Sequence, residues 1–319
     1  MQKPFFSIVV VSLNPGERLE NTLESILKQT FTDYEVILKD GGSTDGSLQR
    51  LIDSDYFENK NQIKIIQRKD KSIYDGMNQA VEEVTGRYVQ FLNCGDYFYS
   101  DTVLEDVAKY IKKDRVGNFS TGSKNSTKNV EYKDDVIAKK QNNSANSETN
   151  QFAIECVESP LKIYYGNQYN QVQDTIIYSA PTINDFTCYR NVPCHQVCFY
   201  DYRLFENRAY DLQYKVRADY EHFLYGIYEE KAEGVSMPII IASYEGGGFS
   251  ETKENRKKSS KEHAEITRKY LGLTKCLKYR LIMLLTLATV RSWIAENPAL
   301  SGMYNGVKTR IYKLLRGTK

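Results

Sequence analysis

The sequence predicts an α/β protein in which a mostly parallel central sheet carries helices on both faces, with a helical extension towards the C-terminal end. Three observations predict this class. Strand-like and helical patterns alternate through the first hundred residues, the strand-like runs are apolar on both faces, and polar side chains follow directly after each run. The chain has 319 residues, 41% of them hydrophobic and 26% charged, which is ordinary for a globular protein.

The predicted strands occupy residues 6–13, 34–38, 63–67 and 88–92, where β-rich sequence is continuously apolar. Helical periodicity predicts helices at 18–29, 47–52 and 73–84. This alternation predicts a doubly wound sheet with right-handed crossovers. Ligands of such sheets bind beyond the carboxyl ends of the strands. The residues that follow the strands therefore mark the predicted site: Asn14, Asp40, Asp70, Lys71, Asn93 and Asp96.

Three regions follow from composition. Residues 1–250 are predicted to form the α/β domain, within which residues 117–150 are rich in Asn, Ser, Lys and Thr and predict a mobile insertion. Strand-like sequence returns at residues 161–167 and 173–179. Residues 251–319 are predicted to form a basic helical extension.

The extension is the most basic part of the chain. From residue 266 to the last residue there are eleven Lys and Arg against a single acid, Glu296, although the whole chain carries only +2. The apolar stretch 281–290 is too short to span a membrane. An apolar stripe with cations beside it predicts an interfacial helix drawn to anionic lipid: Val307, Ile311, Leu314 and Leu315. The alternative is a helical pair that packs on the domain with a solvated basic face.

Six scattered cysteines lack a disulfide-like spacing, and no cleavable signal is recognised at the start of the chain. We therefore expect a cytoplasmic protein, with the extension at the inner face of the cell membrane as a further expectation. No nucleic-acid partner is expected. A Rossmann glycine fingerprint would follow the first strand, where the chain has "SLNPGERL", and the region lacks the glycine-rich basic loop of a nucleotidyltransferase.

Five motifs, in order, carry a resemblance to a known family: "SIVVVSLN", "KDGGSTDGSL", "DKSIYDGMNQAVEEVTGRYVQFLNCGD", "CHQVCFY" and "RADYEHFL". Together they resemble the inverting family 2 glycosyltransferases with the GT-A fold, most closely the bacterial members that build surface polysaccharides. The resemblance is close over residues 5–112 and looser over 162–250. It implies direct transfer of a sugar, with inversion, from a nucleotide-sugar donor (UDP most expected) to a glycan or lipid-linked acceptor.

The resemblance also implies which residues bind the donor. Asp40 matches the carboxylate that accepts a hydrogen bond from the nucleobase, although a turn aspartate is the alternative. Lys71, Asp75 and Asn78 match residues that line the nucleotide pocket, and Asp75 and Asn78 are three apart on one helical face. The alternative there is a solvated first turn in which Ser72 and Asp75 form a capping box. Asn14 and Asn93 are further candidates for donor contacts.

The family's metal motif, D-x-D, is reduced here to "NCGD", with Asp96 as its one certain carboxylate. Asp96 is predicted to hold Mg²⁺ or Mn²⁺ against the donor diphosphate, since Mg²⁺ accepts few protein ligands when phosphates and water complete its shell. The loss of one aspartate leaves open an alternative, a non-catalytic nucleotide-sugar-binding partner in a glycan-assembly complex.

The general base predicted by the resemblance is Asp219, in "RADYEHFL", where Ala218 replaces the glutamate of the family's Glu-Asp pair. A helix N-cap is the alternative role for Asp219, and Glu221 is the second candidate base. His195 and Gln196, just before an apolar run, are predicted to face the acceptor or the donor sugar, and so is Glu221. A satisfied core histidine is the alternative for His195.

Overall fold

A computed structural model of the chain describes residues 3–54, 63–120, 130–133, 136–140, 154–246, 252–286, 306–307 and 310. The strands are β1 (Phe6–Ser12), β2 (Tyr34–Asp40), β3 (Ile63–Gln67), β4 (Tyr88–Phe91), β5 (Tyr97–Phe98), β6 (Val130–Lys133), β7 (Val136–Lys140), β8 (Ile154–Glu158), β9 (Lys162–Asn170), β10 (Thr175–Ile177), β11 (Cys198–Asp201) and β12 (Glu233–Tyr244). The α-helices are α1 (Arg18–Leu27), α2 (Ser47–Ile52), α3 (Ile73–Val81), α4 (Val103–Ser120), α5 (Asp185–Arg190), α6 (Arg203–Asn207), α7 (Ala218–Tyr228) and α8 (Lys253–Leu285). A short 3₁₀ helix spans His195–Val197.

The main sheet has the strand order β3-β2-β1-β4-β11-β9-β12-β5, with β10 beside β9, in the described residues. Its first four strands are parallel, as predicted. β11 then runs antiparallel to both β4 and β9, and β12 runs parallel to β9. The carboxyl ends of β1 and β4 lie side by side where the chain switches from one side of the sheet to the other, and such a switch point opens a crevice.

Helices cover both faces of this sheet. On one face Val9 and Val11 pack with α3 and α7, and on the other Ile8 and Val10 pack with α1 and α4. Because both faces of β1 are buried, its sequence is apolar at consecutive positions instead of alternating. The predicted strands and helices of the first hundred residues are confirmed, although α1 and α3 end two and three residues earlier than predicted.

The predicted insertion contains more regular structure than its composition indicated. Strands β6, β7 and β8 pair antiparallel in a separate small sheet, and the first two of them lie inside residues 117–150. Their sequences, "VEYK" and "VIAKK", have the β-branched and aromatic residues that favour strands. Most of the remaining insertion lies outside the described residues.

The extension begins with α8, which packs against α5 and α7. Searched over the described residues, no helix is both long enough and apolar enough to cross a membrane. Of the predicted interfacial stripe, Ile311, Leu314 and Leu315 lie outside the described residues.

Candidate active site

The turn "NCGD" follows β4 and buries a carboxylate. Its shape comes from Gly95, which adopts φ +102°, and from Thr22 of α1, whose hydroxyl accepts the Gly95 N–H at 2.9 Å and donates to the Asp96 carbonyl at 2.9 Å. Asp96 is only 6% exposed, and Gln196 Nε2 donates to its Oδ2 at 3.0 Å. Burial raises the pKa of Asp96 to about 6.

A hydrogen-bonded chain of four side chains lies beside this turn. His195 Nδ1 is 3.0 Å from Asp219 Oδ2, and Asn93 Nδ2 is 2.8 Å from His195 Nε2. The single proton of the Tyr74 hydroxyl lies between two acceptors, Asp219 Oδ1 and the Val216 carbonyl oxygen, each 2.8 Å from the hydroxyl oxygen. Both oxygens of Asp219 are therefore oriented, while the side chain keeps 21% of its surface exposed.

The charge state of Asp219 follows from these contacts. Burial acts to raise the pKa of Asp219, but hydrogen bonds from His195 and Tyr74 outweigh it and hold the pKa below its usual value. Burial and the neighbouring Asp219 raise the pKa of Tyr74 well above its usual value, so the hydroxyl stays a donor. Asp219 is consequently ionised at neutral pH.

One cavity of about 340 Å³ collects these groups. Its walls include five of the predicted site residues: Asn93, Asp96, His195, Gln196 and Asp219. They also include residues that the sequence did not single out: Arg18, Tyr74, Gln168, Tyr244 and Glu245. Arg18 and Glu245 form an ion pair at 3.3 Å on the rim. Tyr74 was within reach of sequence analysis, since it lies inside the motif "DKSIYDGMN", whereas Arg18 and Glu245 carry no local signal.

Two residues that are predicted to bind the nucleotide-sugar, Asp40 and Asn14, shape loops instead of lining this cavity. Asp40 is fully buried, and its carboxylate accepts the N–H groups of Gly42 and Ser43 at 2.9 and 2.8 Å and the Ser43 hydroxyl at 2.5 Å. Asn14 accepts the Thr44 N–H at 2.8 Å. In this structure Asp40 therefore acts as a turn aspartate, which is the alternative given above for this residue.

Lys71, Asp75 and Asn78 were predicted to line the nucleotide pocket. The side chains of Asp75 and Asn78, on α3, instead form hydrogen bonds within the protein. Ser72 caps α3 by accepting the Asp75 N–H at 3.2 Å, and the Asp75 carboxylate accepts the N–H of Lys71, one residue before the cap, at 2.7 Å. Asn78 instead bridges the Tyr210 backbone with two bonds of 2.9 Å. Asp75 and Asn78 therefore do not converge on one site, and Lys71 is exposed.

Glu221 lies away from the cavity, contrary to the predicted place beside the substrates. It is fully buried and binds Arg208 Nη2 at 2.6 Å, Lys269 Nζ at 2.8 Å and the Tyr270 hydroxyl at 2.5 Å. Burial acts to raise the pKa of Glu221, but these three donors outweigh it and lower the pKa. The helix has already begun at Ala218, which turns Glu221 away from Asp219. Glu221 ties α7 to α8.

The residues around Asp96 fit a divalent cation only in part. No group of three or more His, Cys, Asp or Glu that could hold a metal ion occurs among the residues that the structure describes. Beside Asp96, however, the side-chain oxygens of Asn93 and Gln196 are buried without a hydrogen-bond partner. Mg²⁺ prefers such oxygens and completes its shell with substrate phosphates and water. The set fits an ion shared with a diphosphate, not one held by the protein alone.

Known proteins share this sequence pattern and fold. Residues 7–165 match the family model described as "Glycosyl transferase family 2". A PGL/p-HBAD biosynthesis glycosyltransferase of Mycobacterium bovis is 29% identical over 255 residues, which cover 79% of this chain and 81% of that protein. Chondroitin synthase of Escherichia coli is 34% identical over 100 residues, 31% of this chain and 14% of the relative.

Solved structures agree at the level of the fold. S. aureus TarS 1–349 in complex with UDP-GlcNAc superimposes with a TM-score of 0.55 at 16% identity, covering 83% of this chain and 71% of that one. The mannosyltransferase PcManGT of Pyrobaculum calidifontis, in complex with GDP-Man and Mn²⁺, has a TM-score of 0.54 at 10% identity over 100% of this chain and 89% of that chain.

The mixed sheet, with a polar cavity at its switch point, is the architecture of a GT-A glycosyltransferase. Residues 7–165 of the chain belong to glycosyltransferase family 2.

Proposed function

We propose that this glycosyltransferase moves a sugar, with inversion, from a UDP-sugar to a hydroxyl group of a glycan or lipid-linked acceptor. The observation that carries the proposal is Asp219: an ionised carboxylate, oriented at both oxygens, on the wall of a cavity that also contains Asp96. Glycan transfer needs one group that accepts a proton and another region that stabilises a departing diphosphate. This cavity has a residue suited to each.

Asp219 is the proposed general base. It takes the proton of the acceptor hydroxyl while that oxygen bonds to the anomeric carbon of the sugar. The bond from that carbon to the nucleotide breaks in the same step, and the nucleoside diphosphate leaves with the electron pair. Because the acceptor attacks from the face opposite the leaving group, the configuration inverts. No covalent intermediate with the protein is required.

His195 and Tyr74 keep the base in position. In the tautomer that satisfies every contact, His195 Nδ1–H donates to Asp219 and Nε2 accepts from Asn93, so the imidazole cannot rotate freely. Tyr74 holds the other carboxylate oxygen. Both donors also weaken Asp219 as a base, since they lower its pKa, but they ensure that it is ionised.

Asp96, with Asn93 and Gln196, is the proposed region for the diphosphate and its Mg²⁺ or Mn²⁺. A bound ion of this kind offsets the negative charge that develops on the departing nucleotide. The complexes of TarS with UDP-GlcNAc and of PcManGT with GDP-Man and Mn²⁺ support a nucleotide-sugar donor and a divalent ion for this chain as well.

One observation favours a second candidate, a partner that binds nucleotide-sugar without turning it over. The turn "NCGD" supplies a single carboxylate, because Cys94 stands two residues before Asp96, where the first aspartate of a D-x-D motif would lie. A protein that binds the donor and never cleaves it would fit that loss.

A two-stage experiment tests these functions. Nucleotide-sugars are first screened for a rise in melting temperature with and without Mn²⁺, since a ligand that binds only the folded state stabilises it. The stabilising donor is then incubated with the wild-type protein and with Asp219→Asn, and release of nucleoside diphosphate is measured. Mn²⁺-dependent stabilisation followed by release from the wild type alone is expected. Stabilisation without release would establish the binding partner instead, and no stabilisation by any donor would contradict both functions.

A further inference from the structure

The second half of α8 presents leucines to solvent. Gly272, at φ +76°, breaks the helix into two parts. Before the break, Ile266 and Leu271 are buried against the domain. After it, five leucines are more than half exposed, at 54 to 74%: Leu273, Leu277, Leu281, Leu284 and Leu285. Large apolar side chains rarely gather on a surface without a partner.

These leucines form one face of the helix, here named the leucine face. Leu273, Leu277 and Leu281 are four residues apart, and Leu284 follows three later, so their side chains align. The opposite side of the helix is the one that packs on α5. There Tyr279 contacts the rings of Phe186 and Tyr189, and Lys275 pairs with Asp185 at 2.7 Å. The leucine face therefore points away from the domain.

Cations lie along both edges of the leucine face. At about 3.6 residues per turn, Lys278 falls beside Leu281 on one edge, and Arg280 falls beside Leu273 on the other. Both cations are exposed, and residues 266–286 contain no acid. An apolar strip bordered by cations matches a surface that is apolar inside and anionic outside.

We propose that the leucine face binds the surface of an anionic lipid bilayer, with α8 lying in the plane of the interface. The thirteen residues from Leu273 to Leu285 make a helix of about 20 Å, too short to cross a hydrocarbon core of about 30 Å. A second copy of this chain fits the face less well, because it would bring two strongly basic segments together. The bilayer satisfies both the leucines and the cations.

The same helix connects the leucine face to the cavity. In its first half, Glu262 accepts the N–H groups of residues 215–217, and Lys269 and Tyr270 bind Glu221 of α7. Asp219 lies between these two attachment points. Lipid binding by the second half of α8 would hold the cavity close to the bilayer, and Gly272 would set the angle between the two halves of the helix.

Vesicle co-sedimentation of the full chain tests the proposal. The wild type is compared on vesicles of phosphatidylcholine alone and of phosphatidylcholine with phosphatidylglycerol, at low and high ionic strength. We expect binding only to the anionic vesicles, weakened by salt. Leu273→Ser with Leu277→Ser and Leu281→Ser, and separately Lys278→Glu with Arg280→Glu, should each weaken binding at least about tenfold.

Matched controls keep the result interpretable. Ile52→Ser with Val172→Ser alters exposed apolar residues elsewhere, and Lys257→Glu with Lys261→Glu alters exposed lysines in the first half of α8. Both should bind as the wild type does, and all variants should keep the wild-type melting temperature. Wild-type protein that ignores anionic vesicles, or a triple leucine variant that binds them undiminished, would overturn the proposal. Loss of self-association in that variant, with vesicle binding unchanged, would assign the face to a second copy.

Discussion

Glu262 accepts a hydrogen bond from the backbone N–H of Val216 at 3.0 Å, across 46 residues of sequence. The same carboxylate accepts the N–H groups of Lys215 and Arg217 at 2.8 and 2.9 Å, so one side chain satisfies three consecutive amides. Successive amides of this kind form a concave anion site. The segment they belong to leads directly into α7 and Asp219. Helix α8 thus positions the proposed base from outside the cavity.

Glu262→Gln should lower turnover several-fold without changing donor affinity. An amide side chain cannot accept from three N–H groups as a carboxylate does, and the segment before Asp219 loosens. The free energy of unfolding should fall by about 1–3 kcal/mol. Glu265→Gln, an exposed glutamate on the same helix, is the control and should change neither quantity. Turnover equal to that of the wild type would show that the hydrogen bonds of Glu262 to residues 215–217 have no part in positioning Asp219.

Asp219→Asn should reduce turnover about a hundredfold or more while leaving donor affinity intact, as measured by thermal shift. The amide retains an oxygen that can accept from Tyr74, but it cannot take a proton from the acceptor. If turnover is near normal, the base is not Asp219. His195 is then the next candidate, because it lines the same cavity, whereas Glu221 does not.

Tyr74→Phe should move the acid limb of the pH–rate profile to higher pH. The Tyr74 hydroxyl helps to lower the pKa of Asp219, so its removal raises that pKa, and the ionised base is lost earlier as the pH falls. Tyr210→Phe is a matched control. The Tyr210 ring is 5.5 Å from that of Tyr74, and its buried hydroxyl has no hydrogen-bond partner in the described structure. An unshifted profile in Tyr74→Phe would remove the hydroxyl from the base's environment.

Asp96→Asn should stabilise the metal-free protein at pH 7 and abolish Mn²⁺-dependent donor binding. The pKa of Asp96 rises from 3.8 to about 6 on folding, so its contribution to stability is full below pH 3.8 and is lost as the pH rises through 6. At pH 7 the free energy of unfolding of the wild type should therefore be lower than that of Asp96→Asn by up to about 3 kcal/mol. Unfolding in the presence of a chelator should show this difference at pH 7 and none near pH 3.5. Protonation also competes with the cation, so Mn²⁺-dependent binding to the wild type should weaken below pH 6.

Glu221→Gln should lower stability much more than it alters chemistry. Arg208 and Lys269 would lose a fully buried partner, and breaking a buried ion pair from one side costs roughly 3 kcal/mol or more. Part of that cost is relieved by solvent, since Lys269 is 39% exposed. Turnover is measured well below the melting temperature, where we expect at least half of the wild-type value. A loss as large as that of Asp219→Asn would place Glu221 in the reaction.

The local sequence pattern was enough to predict the strands and helices of the first hundred residues. Strands β1 to β4 and helices α1 to α3 were all predicted, because each has a continuous apolar run or a helical period within its own sequence. The second half depends on distant pairings that leave no local trace. β12 adds to β9 with shifts in register, and β11 inserts antiparallel between β4 and β9. Neither arrangement follows from periodicity.

The sequence by itself determined the α/β class, the family motifs and the five predicted residues that share the cavity: Asn93, Asp96, His195, Gln196 and Asp219. Only the tertiary structure decided what each polar group binds. Asp40, Asp75, Asn78 and Glu221 have the residue types of a site, yet their hydrogen-bonding capacity is used by backbone amides, a facing loop or partly exposed cations. Tyr74 and Glu262, in contrast, gain their roles from neighbours 145 and 46 residues away. A side chain's chemistry is written in the sequence, but its hydrogen-bond partners depend on how distant segments pack, because every buried polar group must find a partner wherever the fold provides one.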